Sequence, residues 1–258
     1  MIQISLLYYN LLLLSTNFFT MEYKEDIFTA ENAHDIHCLK YPKETPLFKR
    51  LSEEDTEMLN HNRIELSFKK GEIINKQGAF ASNIFFLIKG IVKSYIEIGN
   101  KNLIISILPA GSLIGLPSLS VDNVFHYSTK ALVDTDIYSY DINAFKNLMR
   151  KNPLFAAEIV DITNNNMVSL YDRFFSLTQK QLHGRLADIL LCLSHKIYKS
   201  LDFELCMSRK DLAELTGMST ESAIRILKDF KDDGIIDMSG KNLHIVKLDV
   251  MKRISATG

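Results

Sequence analysis

A glycine between two amphipathic segments near the C-terminus constrains this chain more than any other feature of its sequence. The stretch 207–230 reads MSRKDLAELTGMSTESAIRILKDF. Ser208 and Asp211 have the spacing of a capping box, in which an oxygen acceptor and a carboxylate begin a helix. Gly217 stands where a turn needs a positive φ, and Ser219 can cap a second helix. This order of signals predicts a helix-turn-helix.

The second helix of this pair should bury one face and expose the other. Ala223, Ile226, Leu227 and Phe230 recur at helical spacing, which predicts that they are buried. The outward face then holds five side chains, which are Thr220, Glu221, Ile224, Arg225 and Lys228.

Glu221 and Arg225 are four residues apart and therefore share one face of the helix. One interpretation is a surface ion pair of about 0.3–0.5 kcal/mol. The other is base reading, because arginine donates two hydrogen bonds to guanine and glutamate accepts one from cytosine, for about 1–3 kcal/mol of discrimination. The position at the start of a capped helix after a glycine turn favours base reading.

The segment from Gly234 to Val246 predicts two short strands around a turn at residues 239–242, that is, a β-wing. Lys241 at its tip has two equal interpretations, a phosphate contact and a solvated turn lysine. The full set of candidate DNA contacts is Ser208, Arg209, Lys210, Ser219, Thr220, Glu221, Ile224, Arg225, Lys228 and Lys241.

The N-terminal half has a different pattern of residues. From about Arg63 to Asp141, short β-branched and aromatic runs are punctuated by glycines, which predicts an antiparallel sandwich or barrel. Gly99 and Asn100 lie between apolar runs and predict a hairpin. An apolar stripe from Leu154 to Phe175 then predicts a long helix, which the three asparagines at 164–166 interrupt. This helix packs either on its own domain or against a second copy, and the stripe alone does not decide.

These motifs resemble the Crp/Fnr family of bacterial regulators over about residues 45–250. Ser219, Glu221 and Arg225 match the family's recognition-helix signature of Ser, any residue, Glu, three residues and Arg. The run LIISILPAGSLIG resembles its effector-binding β-roll, and HGRLADILLCLS resembles the start of its DNA-binding domain. The resemblance implies an α+β fold with an N-terminal antiparallel β-roll, a long dimerisation helix and a C-terminal winged helix-turn-helix. It also implies a homodimer on a palindromic DNA site, read by two helices about one DNA turn apart, and RNA polymerase as a partner.

We therefore expect four segments. Residues 1–44 are an N-terminal arm, 45–150 the cyclic-nucleotide-binding-like β-roll, 151–177 the dimerisation helix, and 178–258 the DNA-binding domain. Residues 1–19 are apolar, contain no Lys or Arg and have no cleavage site, so they do not read as a signal peptide. We interpret Met21 as the true start, with 1–20 not translated, and a membrane anchor is the alternative. A cytoplasmic protein without a membrane partner is expected.

The resemblance places a small-molecule effector between the β-roll and the long helix. Cyclic-AMP-binding members carry a glutamate where Leu116 follows Gly115, and an Arg-Ser pair in the region that reads FHYS at 125–128. No arginine occurs between Arg63 and Arg150, so a phosphate would lack its bidentate partner and no cyclic AMP is expected. The candidate lining suits a small apolar or aromatic effector, or none, and comprises Leu113, Ile114, Gly115, Leu116, Tyr127, Ser128, Ile162 and Asn166.

Metal cofactors are not expected. An iron–sulfur cluster needs four cysteine ligands, and Cys38 alone lies in the N-terminal half. The three cysteines include no CxxC pair, which argues against zinc and against a disulfide framework. A haem is not expected either, because a lone histidine is more often a surface or satisfied residue than a ligand.

Three functional classes compete for this chain. The first is a transcription regulator, and the second is a sensor module that acts through protein contacts with a DNA-binding domain that no longer functions. The third is an enzyme, which we do not expect, since we find no glycine-rich phosphate loop, no metal-spaced set and no nucleophile motif. The net charge of −1 gives no nucleic-acid signal, so a regulator must concentrate its basic groups on one surface.

Overall fold

The computed structural model describes residues 46–49, 51–61, 63–120 and 122–258. The expectations for the N-terminal arm and for residues 1–20 lie outside the described residues, as does Cys38. Helices and strands follow in the order α1 (Pro46–Lys49), α2 (Glu53–Asn60), β1 (Ile64–Phe68), β2 (Ile73–Asn75), β3 (Asn83–Lys89), β4 (Ile91–Ile98), β5 (Lys101–Pro109), β6 (Leu113–Ile114), a 3-10 turn (Leu116–Leu119), β7 (Ser128–Ala131), β8 (Thr135–Asp141), α3 (Ile142–Lys151), α4 (Pro153–Gln179), α5 (Leu182–Cys192), a π-helical segment (Leu193–Tyr198), β9 (Asp202–Glu204), α6 (Arg209–Thr216), α7 (Thr220–Asp232), β10 (Ile236–Ser239), β11 (Asn242–Ile245) and α8 (Leu248–Thr257).

Two antiparallel four-stranded sheets form the N-terminal β-roll, in the orders β1-β8-β3-β6 and β2-β7-β4-β5. The antiparallel sandwich is therefore confirmed, and β4 and β5 form the predicted hairpin around Gly99 and Asn100. Gly90 turns the chain from β3 into β4 with a φ of 99°. A Cβ there would lie 2.5 Å from Thr135 Oγ1, so the tight passage requires glycine.

The core of the β-roll lies between the sheets and continues under the flanking helices. Phe86 of β3 is buried and meets Phe48 of α1 edge-on, with ring centroids 5.1 Å apart. Phe145 of α3 meets Phe155 of α4 in the same way at 5.2 Å. The first contact packs α1 on the β-roll and the second packs the start of the long helix on α3, and such pairs add to the free energy of burial.

The long helix α4 begins where Asn152 accepts a hydrogen bond from the Phe155 amide at 3.0 Å, with Pro153 in the first turn. Its first turns are anchored by Phe155 and Ile159, which are buried. The three asparagines do not interrupt it, contrary to our expectation, and the helix runs to Gln179. Relative to alanine, each asparagine costs a helix only about 0.7 kcal/mol. The packing of the first turns of α4 outweighs this cost.

The C-terminal domain is a helical unit with a three-stranded wing. The predicted strands β10 and β11 pair antiparallel, and β9, which the sequence analysis did not foresee, pairs with β11. Helix α8 packs against α5 so closely that a Cβ on Gly184 would lie 2.6 Å from Gly258 Cα. Among the described residues, every helix falls short of the length and hydropathy that a membrane-spanning helix requires.

Candidate nucleic-acid interface

The first helix of the helix-turn-helix, α6, starts from a complete capping box, as predicted. The Ser208 hydroxyl accepts the Asp211 amide at 3.1 Å, and the Asp211 carboxylate accepts the Ser208 amide at 2.8 Å. Two backbone amides that a helix start leaves without an intrahelical acceptor are thus satisfied, which fixes where α6 begins.

Gly217 ends α6 in the left-handed conformation, with φ 63° and ψ 36°, as predicted from its place at the turn. A Cβ at this position would lie 3.0 Å from Leu177 Cδ2 of the long helix, so the turn also passes close to α4. Ser219 then caps α7 by accepting the Ser222 amide at 3.1 Å. The sharp turn and the cap together set the angle at which α7 leaves α6.

The recognition-type helix α7 separates its faces as the sequence predicts. Its buried side chains are Ala223, Ile226, Leu227 and Phe230. The opposite face is open to solvent at Glu221, Ile224, Arg225 and Lys228, with Thr220 half-buried beside them. Ile224 is the apolar member of this exposed face, at 50% exposure.

Glu221 and Arg225, both within the described part of the chain, form no ion pair with each other. The polar backbone amide of Glu221 and the Ser219 hydroxyl beside it lower the pKa of the Glu221 carboxyl below its usual value. Glu221 therefore stays ionised as an acceptor, and the Arg225 guanidinium keeps its donors for an external partner.

The wing is hydrogen-bonded to both helices of the helix-turn-helix, α6 and α7. Arg209 Nη2 donates to the Gly240 carbonyl and to Met238 Sδ, each at 2.9 Å, and Lys231 Nζ donates to the Met238 carbonyl at 2.6 Å. Among the candidate contacts, Arg209 is thus engaged in holding the wing. Lys210, Lys228 and Lys241 are exposed.

Two cations that contact the helix-turn-helix escaped the sequence analysis. Lys93 Nζ of β4 lies 2.5 Å from Asp211 Oδ1 and 3.5 Å from Glu214 Oε2, both on α6. Arg173 of α4 donates to the Leu215 carbonyl at the end of α6. No local sequence pattern predicts either contact, because the partners are far apart in the chain.

The predicted effector lining is brought together only in part. Leu113, Ile114 and Leu116 are buried in the core of the β-roll, and Ile162 of α4 packs against that core. Asn166, by contrast, is exposed to solvent.

The polar members of that lining are already hydrogen-bonded. The hydroxyl of the half-buried Tyr127 accepts the Gly115 amide at 3.0 Å, and desolvation raises the pKa of Tyr127. Ser128 Oγ accepts the Gln77 amide and donates to Glu97, both at 3.0 Å. The hydrogen bonds from Lys76 and Ser128 lower the pKa of Glu97, so this carboxylate of β4 stays charged.

A separate open groove of about 500 Å³ lies outside the predicted effector lining. Its walls are Leu119, Ser120, Lys146, Met149, Arg150 and Ala156. Within the described ranges, no group of three or more His, Cys, Asp or Glu side chains has a geometry that holds a metal ion.

Comparison with known proteins gives two domain matches. Residues 65–152 match the cyclic nucleotide-binding domain, and residues 184–254 match the Crp-like helix-turn-helix domain. The chain is similar to the transcriptional activator protein anr of Pseudomonas aeruginosa, with 23% identity over 222 residues, covering 83% of this chain and 89% of that protein. It is also similar to electron transport regulator A of Shewanella oneidensis, with 27% identity over 185 residues, covering 69% and 73%.

Among solved structures, FixK2 from Bradyrhizobium japonicum superimposes with a TM-score of 0.70 at 20% identity. The superposition covers 76% of this chain and 98% of FixK2. At this identity the likeness shows a shared fold.

Proposed function

This chain belongs to the Crp/Fnr family of transcription regulators, and we propose that it reads a palindromic DNA site as a homodimer under the control of a small effector. Its relatives are transcription regulators, which confirms the expectation that it is not an enzyme. A protein that works on the genome and on RNA polymerase belongs in the cytoplasm, which is the location we propose.

The observation that carries the proposal is the solvent-exposed face of α7. Glu221, Ile224 and Arg225 project from a helix that a glycine turn and a serine cap hold at a fixed angle to α6. Arg225 supplies the donors for guanine, Glu221 the acceptor for cytosine, and Ile224 an apolar surface for the thymine methyl group. Ser208, Lys210, Lys228 and Lys241 are exposed and would supply phosphate contacts.

The dimer is supported by the exposed apolar stripe of α4. Val160, Met167 and Phe174 are seven residues apart and are 53%, 45% and 70% exposed. Leu170 and Tyr171 extend the stripe and are also exposed. Apolar side chains at heptad spacing bury each other when two helices cross, so a second copy of α4 is the occupant that fits this stripe.

A cyclic nucleotide does not fit the residues at the family's effector position. The Gly115 amide, which would face a phosphate, already donates to the Tyr127 hydroxyl, and a Cβ there would meet the Phe125 ring at 3.1 Å. Leu116 is buried where a polar contact would be needed. We propose a small apolar or aromatic effector without a phosphate group, and neither an iron–sulfur cluster nor a haem.

Selection of binding sites from randomised duplexes tests the DNA-reading role. The wild-type protein should enrich an inverted repeat. Arg225→Ala should lose the preference at one base pair of each half-site, by about 1–3 kcal/mol, while salt-dependent nonspecific binding remains. Arg150→Ala, an exposed arginine on α3, is the matched control and should select the wild-type sequence.

Unchanged selectivity of Arg225→Ala would remove base reading from this residue. Failure of the wild-type protein to retard any duplex would favour the alternative, a sensor module that acts through protein contacts. The exposed arginine and lysines of α7 argue against that alternative, because a helix that no longer binds DNA is not expected to keep a basic surface.

A further inference from the structure

Lys93 is a lysine with little exposure in a β-strand, and its side chain leaves the β-roll to meet the helix-turn-helix. Its ammonium lies 2.5 Å from Asp211 Oδ1 and 3.5 Å from Glu214 Oε2. The side chains of Lys93, Asp211 and Glu214 are only 11%, 16% and 12% exposed. Lys93 thus faces two carboxylates of α6 in a site from which water is largely excluded, and the exposed Lys210 lies 3.8 Å from Glu214 Oε1 at its edge.

Arg173 anchors the same helix from a second direction. Its guanidinium donates to the Ile104 carbonyl of β5 at 2.5 Å and to the Leu215 carbonyl at the C-terminal end of α6. Burial lowers the pKa of Arg173 to about 10, and its Nε has no hydrogen-bond partner among the described residues. Helix α6 is therefore held near its start by Lys93 and at its end by Arg173.

Neither contact covers the surface that would read DNA. The docking runs through α6, whereas Glu221, Arg225 and Lys228 on α7 remain exposed. The docked arrangement is therefore compatible with a duplex on α7.

Charge burial explains why such a contact would specify an orientation more than it adds stability. Bringing charged groups out of water costs free energy, and the attraction between the partners offsets this cost only when the geometry is good. An ion cluster of this kind stabilises the one arrangement in which its charges are paired and destabilises arrangements in which they are buried without partners. Lys93 also offsets the charge of two carboxylates on the helix whose first turn carries Lys210, a candidate phosphate contact.

We propose that Lys93 is a positioning residue for DNA binding, which holds α6 against the β-roll so that α7 presents its reading face in the binding-competent orientation. This inference rests on the proposed function. Lys93 itself touches no DNA, and it acts through Asp211 and Glu214.

A charge swap tests the proposal in the full-length protein. Lys93→Glu puts a third carboxylate beside Asp211 and Glu214, whereas the double variant Lys93→Glu/Glu214→Lys restores one cation and two carboxylates at positions 93, 211 and 214, with Lys210 unchanged in both. Lys101→Glu makes the same charge change at an exposed position of β5 and is the control. Lys93→Met removes the charge with a similar volume and guards against a folding defect in Lys93→Glu, which circular dichroism monitors.

The first measurement is the affinity for the duplex selected by the wild-type protein, from fluorescence anisotropy. We expect Lys93→Glu to bind at least tenfold more weakly, Lys93→Met threefold to tenfold more weakly, and Lys101→Glu within twofold of wild type. The double variant should return to within threefold of wild type. Equal affinities for Lys93→Glu and Lys101→Glu would overturn the proposal, as would a double variant no better than Lys93→Glu.

The second measurement is hydrogen exchange of the β5 and α6 amides without DNA. Lys93→Glu should accelerate exchange in both segments, and the double variant should restore protection. Unchanged protection in Lys93→Glu would overturn the proposal. If the wild-type protein binds no duplex, the proposed function fails while the exchange data still report whether Lys93 holds α6.

Discussion

Ser208 and Asp211 cap each other, with the hydroxyl of one accepting the amide of the other and the carboxylate accepting in return. The same Asp211 carboxylate receives the Lys93 ammonium, so the start of α6 is both a helix cap and a contact with the β-roll. Ser208→Ala should therefore lower the free energy of unfolding of the C-terminal domain by about 0.5–2 kcal/mol. Urea denaturation followed by far-ultraviolet circular dichroism measures this. Ser208→Gly should lower it by only a few tenths of a kcal/mol, and equal losses in the two variants would contradict a capping role.

Gly217→Ala should destabilise the helix-turn-helix by more than the left-handed backbone alone explains. A residue with a Cβ costs about 1–2 kcal/mol in this conformation, and the new methyl would also press on Leu177. Gly240→Ala is the matched control, because Gly240 has a φ of 61° but nothing within 4 Å of its Cβ position. The difference between the two unfolding free energies isolates the Leu177 contact. Equal losses of unfolding free energy in the two variants would show that the Leu177 side chain moves aside without a measurable cost.

Phe174→Glu should convert the proposed dimer into a monomer. A carboxylate at a heptad position would be buried without a partner against its own symmetry copy, which costs more than the apolar contact it replaces. Asn165→Glu makes a similar change at an exposed position outside the heptad stripe and should leave the dimer intact. Sedimentation velocity across a range of concentrations distinguishes the two. A wild-type protein that sediments as a monomer would refute the dimer outright.

Acid should weaken the contribution of Asp211 to folding. Burial alone would raise the pKa of Asp211, but hydrogen bonds from Lys93 and Ser208 outweigh burial and hold that pKa below its usual value. A carboxylate with a lowered pKa stabilises the fold above its unfolded pKa, near pH 3.9, and loses that effect as the pH falls through the folded pKa. The stability difference between wild type and Asp211→Asn should therefore be largest at neutral pH and shrink below about pH 4. A difference that is constant from pH 7 to pH 3 in urea titrations would contradict the ionised pairing.

The parts of the fold that sequence predicted are those whose signals are local. Ser208, Asp211, Gly217 and the buried stripe of α7 act over a few residues, so caps, turn and helix face could be predicted without knowing the tertiary structure. Strand β9 could not, because three residues become a strand only through pairing with β11, which follows 40 residues later in the chain.

The contacts of Lys93 and Arg173 escaped prediction for the same reason. Their partners are 118 and 42 residues away, and a lysine inside a β-branched run gives no sign that it points at another domain. Asn166, conversely, was placed in the effector lining by resemblance, and the rotation of α4 turns it to solvent. Which face of a helix is buried near a domain contact depends on the packing of the two domains, and the amino-acid composition of the helix does not determine it.

Strand β4 turns neighbouring side chains to opposite sides of a sheet, and two adjacent residues use both sides. Lys93 points outward to α6, while Ser94 lies opposite Thr129 in the register of β7, with the two hydroxyl oxygens 3.4 Å apart and Ser128 next along that strand. One strand therefore contributes a side chain to the interior of the roll and the next side chain to the contact with the DNA-binding domain, so β4 belongs to both.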